Sequence, residues 1–121
     1  SVSIIDTRKG EVVDTVRFEV KGARASDITP VGLVMSKDGS RAFVTLGRAN
    51  HVAFVDVKTR KTTDLVLVGK RAWGLALDAA EKTLFVVNGL SDDMTIVDVA
   101  SAKALKTVKV GRVPYGVVVV E

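Results

Sequence analysis

Apolar positions along the chain come in short bursts separated by polar turns, and they nowhere sustain a helical period. "AFVTLG" (42–47), "VAFVDV" (52–57), "LFVVNG" (84–89) and "MTIVDV" (94–99) read as β-strands. "KTTDLVLV" (61–68) and "KALKTVKV" (103–110) roughly alternate apolar and polar residues, as strands with one solvated face do. "GLVMS" (32–36) and "GLALD" (74–78) alternate less, which predicts inner strands buried on both faces. The turns between them are "KDGS" and "AAEK", and Asp38-Gly39 offers the positive φ that tight hairpins use. "VASAKALK" could form a helical turn by propensity, but "VKTRKTTD", its partner in the pattern, could not, so both are read as hairpin turns.

The pattern repeats. "VGKRAWGLAL" (68–77) returns as "VGRVPYGVVV" (110–119), and more faintly as "ITPVGLVM" (28–35). Gly32, Gly74 and Gly116 recur every 42 residues. Asp6, Asp56 and Asp98 each close the same strand motif, first 50 and then 42 residues apart, so eight residues are inserted at about 19–26. A period in this range with four short strands per unit predicts a β-propeller. The expected fold is all-β, with antiparallel four-stranded blades and 11 strands in all. A half blade (1–18, strands 2–6 and 12–18) comes first, then an inserted crossing loop (19–31). Two complete blades (32–68 and 74–110) follow, then a lone inner strand of the next blade (115–121).

These residues carry a family resemblance. Phe43-Val44-Thr45-Leu46 and Phe85-Val86-Val87-Asn88, each followed by a "VD"-ending strand and a "VG…G" crossing, resemble YVTN-type β-propeller repeats over essentially the whole chain. The resemblance implies a bacterial or archaeal protein, often exported and usually seven-bladed. It also points to a subgroup that accompanies pyrroloquinoline-quinone-dependent alcohol oxidation. Seven units need about 290 residues. The chain opens directly in strand alternation with no signal peptide, so it is expected to be a C-terminal piece of a longer propeller.

The repeated phrase has a mechanical reading. In a propeller the outer strand of one blade crosses to the inner strand of the next. Gly69 and Gly111 would permit the sharp exit, and Pro114 would hold an extended approach. Gly32, Gly74 and Gly116 would open inner strands where blades crowd the axis. Trp73, just after a crossing, is expected to wedge between blades. Crossing loops and the loops between second and third strands should share one face, at the channel mouth. That face would carry Arg24 and Asp27 from the insertion, which is expected to project over the mouth. Arg48, Asn50 and His51 would join them from one loop, and Asn88, Asp92 and Asp93 from its repeat. Lys70, Arg71, Trp73, Arg112 and Tyr115 would come from the crossings. Cations beside aromatics suit an anionic or planar ligand.

Composition narrows the chemistry. The 121 residues carry a net charge of +4 without like-charge runs, which gives nucleic-acid binding little support. Cysteine is absent and His51 is the sole histidine, so thiol chemistry and histidine metal clusters are unavailable. No G-x-S-x-G motif occurs. Asp92-Asp93 could meet a hard cation, but acidic pairs in tight turns are usually solvated, and no metal or cofactor is expected. Asp6, Asp56 and Asp98 are read as turn acceptors. No apolar run approaches the roughly 20 residues of a membrane span.

The favoured function is a non-catalytic binding or scaffold propeller, periplasmic or extracellular, with a protein partner or a small anionic ligand. Self-association through exposed strand edges is a further expectation. The alternative is a propeller enzyme of lyase or lactonase type, with essential residues in other blades. Such enzymes typically use a histidine or a metal at the channel.

Overall fold

The computed structural model describes all residues, 1–121. Ten strands form, in three antiparallel sheets. β1 (Val2–Asp6) and β2 (Glu11–Val16) make a hairpin. β3 (Leu33–Met35), β4 (Arg41–Thr45), β5 (His51–Asp56) and β6 (Lys61–Leu67) make one four-stranded sheet in sequence order. β7 (Ala72–Leu77), β8 (Thr83–Asn88), β9 (Asp93–Asp98) and β10 (Lys103–Lys109) make the next. The expected architecture is present: two complete blades with partial blades at both ends.

The core lies between blades. Successive side chains of a strand point to opposite faces. Ala42 and Val44 of β4, with Ala53 and Val55 of β5, pack back against Val16, Phe18 and Val20. Phe43, Val52 and Phe54 pack forward against Leu84, Val86 and Val97 of the next blade. β4 and β5 are therefore apolar on both faces, each face meeting a different neighbour. Phe43 and Phe54 are cross-strand partners and meet edge to face, with ring centroids 4.8 Å apart. The Arg41 guanidinium lies over both rings, at 5.2 and 5.5 Å.

Three strand expectations are corrected. The doubly buried strands are the middle ones, while inner strand β3 leaves Leu33 and Met35 about half exposed. An inner strand has a ladder partner on one side only, and its other edge faces the propeller axis. Residues 115–121 are extended but join no ladder, so there are ten strands and not 11. They still lie where an inner strand belongs, beside β7: the Glu121 carboxylate accepts the Ala79 N–H at 2.9 Å. β2 ends at Val16, and Arg17 and Phe18 already belong to the crossing segment. That segment contains a 3-10 turn, Ala25–Asp27, which the sequence pattern does not signal.

Aspartates close the turns at one end of the blades. Asp6 accepts the N–H groups of Arg8 and Lys9, and Asp56 those of Lys58 and Thr59. Asp98 accepts from Ser101, and Asp78 from Lys82 and Thr83. Asp38 accepts from the Ser36 hydroxyl and from the N–H and hydroxyl of Ser40, which lower its pKa from 3.8 to about 2. The hydroxyl and N–H of Ser101 likewise lower Asp98, and the N–H groups of Thr83 and Lys82 lower Asp78. A depressed folded-state pKa adds stability above the unfolded value, and that stability is lost as pH falls through the folded value. Amide protection in the 36–40 turn, taken relative to the intrinsic exchange rate at each pH, should therefore fall between pH 3.8 and about 2. In Asp38→Asn that pH dependence should vanish; if it persists, the carboxylate is not what holds the turn.

Candidate binding face

Strand register fixes which loops share an end. Ala72 pairs with Asn88, Asn88 with Asp93, and Asp93 with Lys109. His51 likewise pairs with Leu67, and Val52 with Thr45. The crossings and the loops between second and third strands therefore lie together, opposite the aspartate turns. The insertion joins them: its 20–23 turn sits beside Arg48–His51.

Backbone chemistry builds this end. Asn50 takes φ 59° and its repeat partner Asp92 takes 54°, a left-handed conformation that short polar side chains tolerate. The Asn50 side-chain carbonyl accepts the Arg71 N–H at 2.8 Å, and the Asp92 carboxylate accepts the Val113 N–H at 2.8 Å. The main-chain carbonyls of Asn50 and Asp92 accept from Val68 and Val110. Each second-to-third-strand loop thus clasps the crossing that follows it. The bend of the crossing falls at Arg71 and Val113, with φ 58° and 48°, rather than at Gly69 and Gly111. Gly69 is needed for space instead: a Cβ there would lie 2.5 Å from the Asn88 Nδ2 and the Asp93 Oδ1. Gly111 and Gly116 have open surroundings.

Inner strands of successive blades meet closely here. A Cβ on Gly32 would run into the Trp73 carbonyl, and one on Gly74 would lie 2.7 Å from the Tyr115 carbonyl. Thr45, fully buried, accepts the Gly32 N–H at 2.8 Å and donates to the Trp73 carbonyl at 2.6 Å, joining two blades. Sequence reasoning took Thr45 only as part of the Phe43–Leu46 tetrad; its hydroxyl within an apolar strand was the signal for this link.

Arg71, Trp73 and Tyr115 form the most distinctive side-chain group. Trp73 is half-buried and rests on Gly89, where an added Cβ would sit 3.0 Å from its ring. Tyr115, 71% exposed, tilts against it with centroids 5.0 Å apart. The Arg71 guanidinium lies 4.9 Å from the centre of the indole, a cation–π distance. Trp73 thus packs between a neighbouring loop and the next blade's aromatic while keeping a solvated edge. Full burial of such a side chain contributes about 1.5–3 kcal/mol. Trp73→Ala should therefore cost less than the full Trp→Ala penalty of a buried site, at about 2 kcal/mol. An unchanged urea midpoint would show that the ring does no packing.

The remaining candidates separate into two sets. Asn88 and Asp93 are buried and serve each other: the Asn88 Nδ2 donates to the Asp93 Oδ1 at 2.8 Å and to the Thr95 hydroxyl at 3.0 Å. They are corrected from surface residues to an internal polar pin, in which the Asn88 Oδ1 has no partner. Asn50 and Asp92 are spent on the clasps. His51 is half-buried, with its Nδ1 2.6 Å from the Ala49 carbonyl. Lys70, Arg112 and Arg48 are exposed, and Arg24 pairs with Asp27 at 3.1 Å.

Antiparallel four-stranded sheets that follow one another around an axis, with outer-to-inner crossings, define a β-propeller. Residues 1–118 match the choice-of-anchor I domain, and the chain belongs to that family. No curated protein matches. Among solved structures the chain is similar to Kuenenia stuttgartiensis hydrazine synthase, with TM-score 0.73 and 31% identity, over 82% of this chain and 29% of that one. It is also similar to the WD40 repeats of RRP9, with TM-score 0.62 and 16% identity, over 70% of this chain and 27% of the other. The third is apo AztD from Citrobacter koseri, with TM-score 0.61 and 17% identity, over 72% and 25%. The chain thus spans under a third of each of these proteins. No helix is long and apolar enough to cross a membrane.

Proposed function

We propose that the chain is part of a non-catalytic β-propeller module that binds a protein partner or a small anionic ligand at its crossing end. The observation that carries this reading is the Arg71–Trp73–Tyr115 group, a cation and two aromatics with one ring open to solvent. The parent protein is exported, to the periplasm or beyond. A family named for its choice of anchor fits a protein held at an outer surface. The YVTN-like tetrads support an accessory role beside quinoprotein oxidation. The enzyme alternative draws its support from the 31% likeness to hydrazine synthase.

A thermal-shift screen of aromatic and aliphatic carboxylates and phosphates tests the reading. A raised midpoint that Arg71→Ala or Trp73→Ala abolishes, and Lys103→Ala at the other end does not, supports it. Conversion of any of these compounds, followed by mass spectrometry, overturns the non-catalytic assignment.

The 121-residue chain should also self-associate. Ile5, Val118 and Val120 are exposed, β1 has one unpaired edge, and 115–121 has no ladder partner. Such edges recruit further strands. Light scattering at micromolar concentration checks this, and a clean monomer rules it out.

A further inference from the structure

The connection from β2 to β3 takes residues 17–32, whereas that from β6 to β7 takes only 68–71. The extra length is a folded wall. Phe18 and Val20 are buried in the inter-blade core, and Ala23 and Ile28 pack on it. The 20–23 turn is closed by the Ala23 N–H on the Val20 carbonyl at 3.0 Å, with Gly22 at φ +85°. Thr29 then ties the wall to the neighbouring loop. Its N–H donates to the Leu46 carbonyl at 3.1 Å, and its hydroxyl accepts the Arg48 N–H at 3.1 Å.

Between this wall and the 48–51 loop lies a cleft of about 370 Å³, whereas the short 68–71 crossing carries no such wall. Its charges are unbalanced. The one carboxylate, Asp27, is engaged by Arg24, and the chain's other ion pair joins Arg60 to Asp14. Lys21 and Arg48, on opposite walls, have no carboxylate partner. His51 lines the cleft with Nδ1 turned to the Ala49 carbonyl, which leaves Nε2 outside that bond. Two cationic donors and an imidazole lining one cleft match the acceptor-only chemistry of an oxyanion.

We propose that this cleft is an oxyanion site, which takes a carboxylate or phosphate group of a small ligand between Lys21 and Arg48. It rests on the reading of the crossing end as a binding face, and adds the ligand's chemical class and a location apart from Trp73. Fixed walls favour such a site, because binding then needs little further ordering of the loops.

His51 is the only histidine, so its ring signals in an NMR spectrum of the 121-residue chain need no assignment. Inorganic phosphate and acetate are titrated separately, with chloride at matched ionic strength as the control. The expected result is a saturable shift of the His51 ring with at least one of the two oxyanions. Saturation by phosphate alone identifies a phosphoryl ligand, and by acetate alone a carboxylate. Arg48→Ala and Lys21→Ala should each raise the midpoint at least about tenfold, the scale of one charge-assisted hydrogen bond. Lys103→Ala, which removes an exposed cation at the opposite end of the blades, should leave it unchanged. Shifts that grow linearly, that chloride reproduces, or that survive Arg48→Ala overturn the site. Lys21 is exposed at a turn apex, so Lys21→Ala remains decisive should Arg48→Ala fail to fold. A silent cleft together with ligand stabilisation that depends on Arg71 and Trp73 would remove this site and leave the proposed function standing.

Discussion

Phe54→Ala should lower the unfolding free energy by about 3–5 kcal/mol, the range for emptying an aromatic from a packed core. Phe54 is fully buried and stands edge-on to Phe43 beneath the Arg41 guanidinium. It also belongs to the cluster that joins the blade of β3–β6 to that of β7–β10. The loss should therefore reach beyond its own strand: amide protection on β8 should fall together with that on β5. Urea unfolding gives the magnitude and hydrogen exchange the spread. A loss under about 1 kcal/mol would mean that the two blades close over the cavity, as well-adapting sites do.

Gly47→Ala should be nearly as damaging, for a different reason. Gly47 takes φ +54°, where a non-glycine residue costs about 1–2 kcal/mol. Its Cβ would also overlap the Thr29 hydroxyl and lie 2.5 Å from the Thr29 carbonyl. Overpacking of this kind adds about 1–3 kcal/mol. Gly39 is the natural control, with φ +72° and nothing within 4 Å of a Cβ, so Gly39→Ala carries the backbone cost alone. The difference between the two urea midpoints isolates the contact with Thr29. Limited trypsin digestion provides a second reading, because Gly47→Ala should detach the wall and free its backbone for faster cleavage after Lys21 and Arg24, whose side chains are already exposed. Equal midpoints and equal digestion would show that the wall is not held at Gly47.

The blades were legible because short apolar bursts at a fixed interval leave few folds open. Gly32 and Gly74 announced crowding at the axis, and the structure places neighbouring carbonyls against both. What stayed hidden depends on neighbours distant in sequence. A single strand cannot reveal that β4 and β5 serve two different cores while β3 faces the axis. Thr45 looked like an ordinary strand residue because its acceptor, the Trp73 carbonyl, lies 28 positions away. Asn88 and Asp93 sit in a loop-like stretch, which suggested a surface; Gly69, in the preceding crossing, presses on both of them. Strand register brings the candidate loops to one end of the blades, but their side chains divide between internal bonds and solvent. Asn50, Asn88, Asp92 and Asp93 are occupied by the protein itself, whereas Lys21, which lines the proposed cleft, went unnamed in an insertion of which only Arg24 and Asp27 were singled out.

The clasp between Asn50 and Arg71, renewed between Asp92 and Val113, bears on how such a chain grows. Acceptor and donor are 21 residues apart in both copies, half of the 42-residue unit. A genetic duplication of one unit therefore carries both halves of the fastening, and the new blade arrives able to grip the crossing that leads onward. The grip needs only a side-chain oxygen at the first position and any main-chain N–H at the second. Asparagine can drift to aspartate and arginine to valine without loosening it. Copies can be gained and then diverge in sequence while the hinge that sets one blade against the next is inherited intact.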